Sequence, residues 1–301
     1  MSSAPPEGEG ARAAMSHNAF MPYVTYLPGQ SPLVLDSPHS GTDYPADFGY
    51  SCKFADLRSA EDTHVEKLYD FAPALGAAWV EAHFPRSYLD ANRNITEMDV
   101  TLLDAPWPAA VETDLKILAK VRLGKGLIWR HTDEGVAIYD RLLRVAEIQG
   151  RIDSCWRPYH AAVQQAIDAA YARHGYSIHI NCHSMPAVSA AHSTDFPGLV
   201  HADFVVGTRD DTSAGAAVGK LVCDTLRETG CSVEYNHPYK GVELVRRYGD
   251  PANNRHSVQL EINRRLYMDE QTFKPNQGFE WLKARLHLLM STLIKTDPRR
   301  L

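Results

Sequence analysis

The sequence lacks most of the features that declare a function class at once. Its 301 residues carry 31 Lys and Arg against 37 Asp and Glu, a formal charge of −6. Without a basic surplus to neutralise phosphates, no nucleic-acid partner is expected. No apolar run approaches the roughly 18 residues of a bilayer-spanning helix, so no membrane partner is expected. The five cysteines (Cys52, Cys155, Cys182, Cys223, Cys231) are odd in number, widely spaced and free of any CxxC pair. That pattern reads as free thiols in a reducing cytoplasm rather than a disulfide framework. No internal repeat or long linker is visible after about residue 20. The opening stretch, MSSAPPEGEGARAAMSHNAF, has no apolar signal-peptide core. It is expected to be a disordered leader over 1–20, with 21–301 a single domain.

What remains is an ordinary globular composition, 44% hydrophobic and 23% charged, with enough chain for a sizeable core. Strand-like runs fall at Leu33–Ser37, Ala77–Ala82, Ser177–Cys182, Asp203–Gly207, Ser232–Tyr235 and Ser257–Ile262. Helical patterns lie between them: one starting near Ser59, with Val65, Leu68 and Tyr69 on one face, and others over 112–123, 136–150, 154–173, 213–229 and 278–295. Gly175 and Gly230 stand where helices should end. Strands alternating with helices predict an α/β sheet covered on both faces. In such sheets ligands bind beyond the carboxyl ends of the strands, and His39, His183 and Glu261 all fall at or near strand ends.

The apolar run Pro32-Leu33-Val34-Leu35 leads into Ser37-Pro38-His39-Ser40-Gly41. A second strand, "IHINCHSMP", leads to His183-Ser184 before Met185-Pro186. Two histidines in matched settings could converge on one ion, since neutral imidazole is the commonest zinc ligand and catalytic zinc takes three protein ligands. Local hydrogen bonding is the competing reading. Glutamate three residues after the first histidine, one zinc spacing, is absent, because position 42 is Thr. The next acids are Glu61 and Asp62, but Ser59-x-x-Asp62 also resembles a helix capping box. In "FPRSYLDANRN", Arg86, Asn92 and Arg93 suggest an anion pocket; a surface ion pair of Asp90 with Arg93 is the alternative. In "HSVQLEINRRL", Val258, Leu260 and Ile262 share one face, and Gln259, Glu261 and Asn263 the other. A carboxylate projecting from a strand needs a reason: Glu261 reads either as a general base or as a partner of Arg264 or Arg265. His160 reads mainly as a core or capping group, and one of Arg246 and Arg247 as an addition to an anion pocket. Ser40 and Ser184 sit in no GxSxG elbow, which leaves a serine nucleophile poorly supported.

Taken in order, "SPHSG", "DTHVEKLYDFA", "PRSYLDANR", "RPYH", "HSM", "VGTRD", "KGVELVRRYGDP" and "VQLEINRRLYM" resemble the N-formylglutamate amidohydrolase family, itself distantly similar to zinc carboxypeptidases and aspartoacylase-type deacylases. The resemblance implies a three-layer α/β/α fold with a mixed central sheet, of the zinc-carboxypeptidase kind. It implies zinc held by His39, Asp62 and His183, with Asp62 fitting the family better than Glu61. Glu261 would be general base and later proton donor, and Arg86 would face the scissile carbonyl. Asn92 and Arg93 would bind a substrate carboxylate, and Arg246 a second one. The implied reaction is hydrolysis of N-formyl-L-glutamate, a small dicarboxylate, to formate and L-glutamate in histidine degradation. The same residues fit another N-acyl or N-formyl amino acid, and a non-catalytic anion-binding protein on this scaffold is the third reading.

Overall fold

A computed structural model describes residues 22–190 and 196–301. The expected leader over 1–20 lies outside the described residues. In chain order the main elements are β1 (Val24–Leu27), β2 (Leu33–Ser37), α1 (Phe54–Arg58), α2 (Val65–Leu68), β3 (Ala78–Ala82), α3 (Ala119–Arg122), α4 (Val145–Arg151), α5 (Arg157–His174), β4 (Ser177–Met185), β5 (Phe204–Gly207), α6 (Ala216–Glu228), β6 (Val233–Tyr235), α7 (Glu243–Tyr248), β7 (Arg255–Asn263) and α8 (Phe279–Lys295). Among the described residues seven strands form one sheet in the order β1-β3-β2-β4-β7-β5-β6. Strands β3, β2, β4 and β7 run parallel, while β1 and β5 pair antiparallel with β3 and β7. The sheet is therefore mixed, as expected, and helices lie on both faces. One face packs on α5 and α7, the other on α2, α6 and α8. No helix of the described residues is long and apolar enough to cross a membrane, and all five cysteines are unpaired.

The alternation of β4 and β7 explains where the polar groups go. Ile178, Ile180, Cys182, Val258, Leu260 and Ile262 join the core under α6 and α8. The intervening His179, Asn181, His183, Ser257, Gln259, Glu261 and Asn263 face the other way, and all are buried. A strand's side chains alternate faces, so one apolar register delivers a row of polar groups to one surface. Strand β4 runs three residues beyond the expected Cys182, because β7 pairs with it as far as Met185↔Asn263. His183 therefore sits inside a strand, opposite Glu261, rather than in a turn.

Three helical expectations need correction. The helix near Ser59 is split: Ser59 ends α1, and Asp62 N–H donates to the His39 carbonyl at 3.0 Å. Only Val65–Leu68 is helical beyond it, although Val65, Leu68 and Tyr69 do share a buried face. Of 112–123 only α3 forms. There Glu112 and Asp114 side chains accept from nearby backbone amides, and such local bonds compete with the helical ladder. Of 136–150 only the end is helical. Residues 136–144 make isolated bridges such as His131↔Ala137 and Leu103↔Leu143, and the helix begins where the Glu147 carboxylate accepts from Arg144 N–H at 2.8 Å. Helix α4 then continues through one π-helical turn, Ile152–Trp156, into α5. Helix α5 ends as expected at Gly175, with φ 72°.

Candidate active site

The turn after β2 carries the first group. A Cβ on Gly41 would lie 2.4 Å from the backbone of His83 and Phe84, so only glycine lets this turn close down on the chain after β3. His39 is thereby fixed with its Nδ1 3.6 Å from Asp62 Oδ2. His183 Nδ1 approaches the same oxygen at 3.0 Å. All three side chains are buried, and one donor atom from each lies within 4.8 Å of the others. This group could hold a metal ion.

The polar surroundings fit that use. His39 Nε2 bonds Asp90 Oδ1 at 2.7 Å, so the ring proton belongs on Nε2 and the Nδ1 lone pair faces inward. That Nδ1 is buried and has no hydrogen-bond partner. A buried, orphaned lone pair beside a carboxylate and a second imidazole is what a cation would satisfy. His183 Nε2 lies between a donor, Asn92 Nδ2 at 3.0 Å, and an acceptor, Asn181 Oδ1 at 2.8 Å. The ring can therefore keep its proton on Nε2 and present Nδ1 to a metal. Glu61 is turned elsewhere, bonded by Tyr44 and Arg58, and the Ser59 capping box does not form, because the Asp62 carboxylate is committed to His183, Ser184 and Arg264.

Asp90 is the hub that sequence reasoning left as half of a surface ion pair. It is fully buried and accepts from His39, Asn92 N–H, Arg86 Nη2 and Trp129 Nε1. Arg93 is only 3.9 Å away and also buried, so no surface pair exists. Burial opposes the Asp90 charge, but His39, Arg86 and Arg93 hold the carboxyl well below its usual range. Arg86 also stacks on the Trp129 ring at 4.9 Å. The Asn92 amide is mostly engaged, since Oδ1 accepts from Leu244 N–H at 2.9 Å; its weakest contact is Nδ2 to Asn181 at 3.4 Å.

Glu261 is nearly buried, and among the described residues its one hydrogen-bond partner is Gln259 Nε2 at 2.9 Å. The expected alternative, a pair with Arg264 or Arg265, does not form. Arg264 bonds Asp62 and Ser184, and Arg265 bonds Asp203. Burial and the Asp62 charge push the Glu261 carboxyl up to about 8. A cation in the His39–Asp62–His183 group would pull it back towards the ionised form.

Other sequence candidates fall outside this cluster. His160 bridges Tyr248 and the Ala91 carbonyl, and burial pushes its imidazole down to about 4, the core role expected of it. Arg246 is half exposed and bound to Glu243. Tyr267 is buried and donates to the Thr63 carbonyl. Ser40 bonds Ser37, and neither it nor Ser184 has a histidine partner among the described residues. An Asp-His-Ser chain does exist, Asp36–His179–Ser257 at 2.8 and 2.6 Å. It lies fully buried within the sheet, where no substrate reaches it. Asp90, Gln259, Arg264 and Asn181 were missed as site residues, and the one sequence signal was their placement beside Asn92, Glu261 and His183.

The model of the N-formylglutamate amidohydrolase family matches residues 31–268. N-formylglutamate deformylase of Pseudomonas putida is 30% identical over 253 residues, 82% of this chain and 85% of that one. The protein of the same name from Pseudomonas aeruginosa is 30% identical over 252 residues, covering 82% and 86%. The crystal structure of N-formylglutamate amidohydrolase from Ralstonia eutropha JMP134 superposes with a TM-score of 0.86 at 44% identity, over 93% of this chain and 99% of that one.

Proposed function

The chain belongs to the N-formylglutamate amidohydrolase family, and from that premise we propose that it hydrolyses N-formyl-L-glutamate to formate and L-glutamate. The observation that carries the reading is the inward-facing, unpartnered Nδ1 of His39 beside Asp62 and His183, with Glu261 on the adjacent strand. Two imidazoles and a carboxylate are a donor set of catalytic zinc sites, and zinc is the ion we assign to it. When bound, such an ion supplies Lewis acidity, polarising a carbonyl oxygen and making water nucleophilic near neutral pH.

The chain's own residues supply the rest. Glu261 takes a proton from the attacking water as the new C–O bond forms at the formyl carbon. It returns that proton to the amide nitrogen as the C–N bond breaks. Gln259 orients it. Arg86, whose charge already bears on Asp62 and Glu261, stabilises the negative charge that develops on the formyl oxygen. Arg93 receives a substrate carboxylate, with Asn92 contributing through its loosely bonded Nδ2 proton. Arg246 belongs with the second carboxylate. The reading takes 21–301 as one amidohydrolase domain and gives the reaction a place in histidine degradation, tested by growth on histidine of a strain lacking the protein.

The deciding assay is formate release from N-formyl-L-glutamate by metal-free protein, with and without zinc. Zinc-dependent release is expected. Glu261→Gln should lower kcat by about 10²- to 10⁴-fold and still bind one zinc per chain. Zinc-loaded protein inert on this substrate but active on another N-acyl amino acid would change the substrate. A chain that binds no zinc would end the metal assignment.

A further inference from the structure

Among the described residues Arg209 has no acid in ion-pair contact. It follows β5 by two residues, and its N–H donates to the Lys240 carbonyl at 2.8 Å. Its Nη1 donates to the Gly241 carbonyl at 2.9 Å. The neighbouring Asp210 is taken by Lys240 at 2.7 Å. The backbone here is unusual. Arg209, Asp210 and Asp211 all lie at left-handed φ, 51°, 55° and 66°, a region that non-glycine residues seldom occupy. Such conformations persist where the surroundings impose them, and they cluster at ligand clamps.

The Arg209 stem lies beside the candidate active site. Gly241 has φ 96°, and a Cβ there would lie 3.6 Å from Arg209 Cγ and 3.5 Å from Gln259 Cβ. Arg209 and Gln259 thus flank the same glycine, and Gln259 is the residue that holds Glu261. The same Cβ would meet Val245 Cγ2 at 2.5 Å, so the close approach requires glycine. Val242 N–H donates to Gln259 Oε1 at 3.3 Å, and Leu244 N–H to Asn92 Oδ1 at 2.9 Å. Residues 241–246 therefore form a wall running from Gln259 to Asn92.

Charge on that wall does not balance. Glu243 alone accepts from both Arg246 and Arg247. Arg209 adds a third guanidinium, whose pKa burial and the like charge of Arg246 hold below the usual arginine value. Three cations then share one carboxylate, and a bound anion would relieve the excess. A substrate with two carboxylates needs two separate cationic groups; Arg93 beside Asn92 offers one, and this wall offers the other.

We propose that Arg209, together with Arg246, receives the side-chain carboxylate of the substrate and sets the preference for N-formylglutamate over its neutral amide analogue. The proposal rests on the N-formylglutamate reading above. The test compares kcat/KM for N-formyl-L-glutamate and N-formyl-L-glutamine in the wild type, Arg209→Ala and Arg209→Lys, with thermal unfolding as a folding control. In Arg209→Ala the glutamate-to-glutamine ratio should fall about 10- to 100-fold, mainly through KM for the acid, and Arg209→Lys should keep part of it. Arg209→Gln, which retains the stem, gives the same readout if the alanine variant does not fold. An unchanged ratio, or equal loss on both substrates, overturns the proposal. If the wild type releases no formate from N-formylglutamate, the substrate reading fails by itself. Calorimetric binding of L-glutamate against L-glutamine to the zinc-loaded protein then decides the Arg209 role: a preference lost in Arg209→Ala supports it, and no wild-type preference overturns it.

Discussion

Asp90 and Asp36 show how single buried carboxylates hold the site. Asp90 fixes the His39 tautomer through a 2.7 Å bond, so Asp90→Asn leaves the ring free to choose the wrong one. Loss of such an outer partner costs about 10- to 100-fold in metal affinity. Competition titration with a chromogenic chelator should show that loss, and an unaltered affinity would make Asp90 a packing group only. Asp36 accepts from His179, Tyr159 and Asn181. Burial pushes its carboxyl up, but the His179 charge and these bonds prevail and leave it below the usual value. A depressed folded pKa contributes stability above the unfolded value, near 3.9, and that contribution fades as pH falls through the folded one. Asp36→Asn should therefore cost about 3–5 kcal/mol near neutral pH, with the deficit shrinking below about pH 4. Urea denaturation of both proteins across pH 3–7 measures this, and a deficit constant with pH would contradict it.

At the scale of elements, one side chain ties the helix that runs from α4 through the π-helical turn into α5 to three stretches of irregular chain. Arg151 ends α4 and is almost fully buried. Its guanidinium donates to the Tyr88 carbonyl, the Tyr139 hydroxyl and the Phe48 carbonyl, and lies 4.1 Å from the Tyr88 ring centroid. It thereby ties together the segments around Phe48, Tyr88 and Tyr139, which have little regular structure of their own. Arg151→Met keeps the length but strands two buried carbonyls and a hydroxyl. The expected loss is about 2–4 kcal/mol, read from the shift in urea midpoint; no shift would mean that these acceptors find other partners. The expected helix over 136–150 failed in this region because such long-range bonds outweigh helical propensity.

For the whole molecule, the His39–Asp62–His183 group, which could hold a metal ion, draws on distant parts of the chain: the end of β2, the loop before α2, and β4. An ion bound there stabilises the folded state and finds no equivalent site in the unfolded chain. Zinc at a hundred times its Kd adds about 2.7 kcal/mol, or roughly 4 °C in Tm for a chain of this length. Scanning calorimetry should show that rise, and a chelator should abolish it. In His183→Ala zinc should give no rise; the same rise there would place the ion elsewhere.

The sequence alone determined the alternation of β7, and of β4 as far as Cys182, and with it the face that carries Glu261, because the two-residue period of a strand is a local property; pairing with β7 decided that β4 continues through His183. It also determined that His39 leaves a buried strand through a turn that contains glycine; the approach of the His83 and Phe84 backbone, which makes that glycine necessary, is tertiary. Tertiary structure decided the partners. Asp62 rather than Glu61 meets His183 across 121 residues. Asp90 meets His39 across 51, and Arg264 reaches Asp62 across 202. Each was ambiguous in sequence, since a carboxylate near a helix start or an arginine serves equally well as a cap or a surface pair. Only the packing of distant segments removed water from these groups, and burial is what requires every charge among them to find a partner.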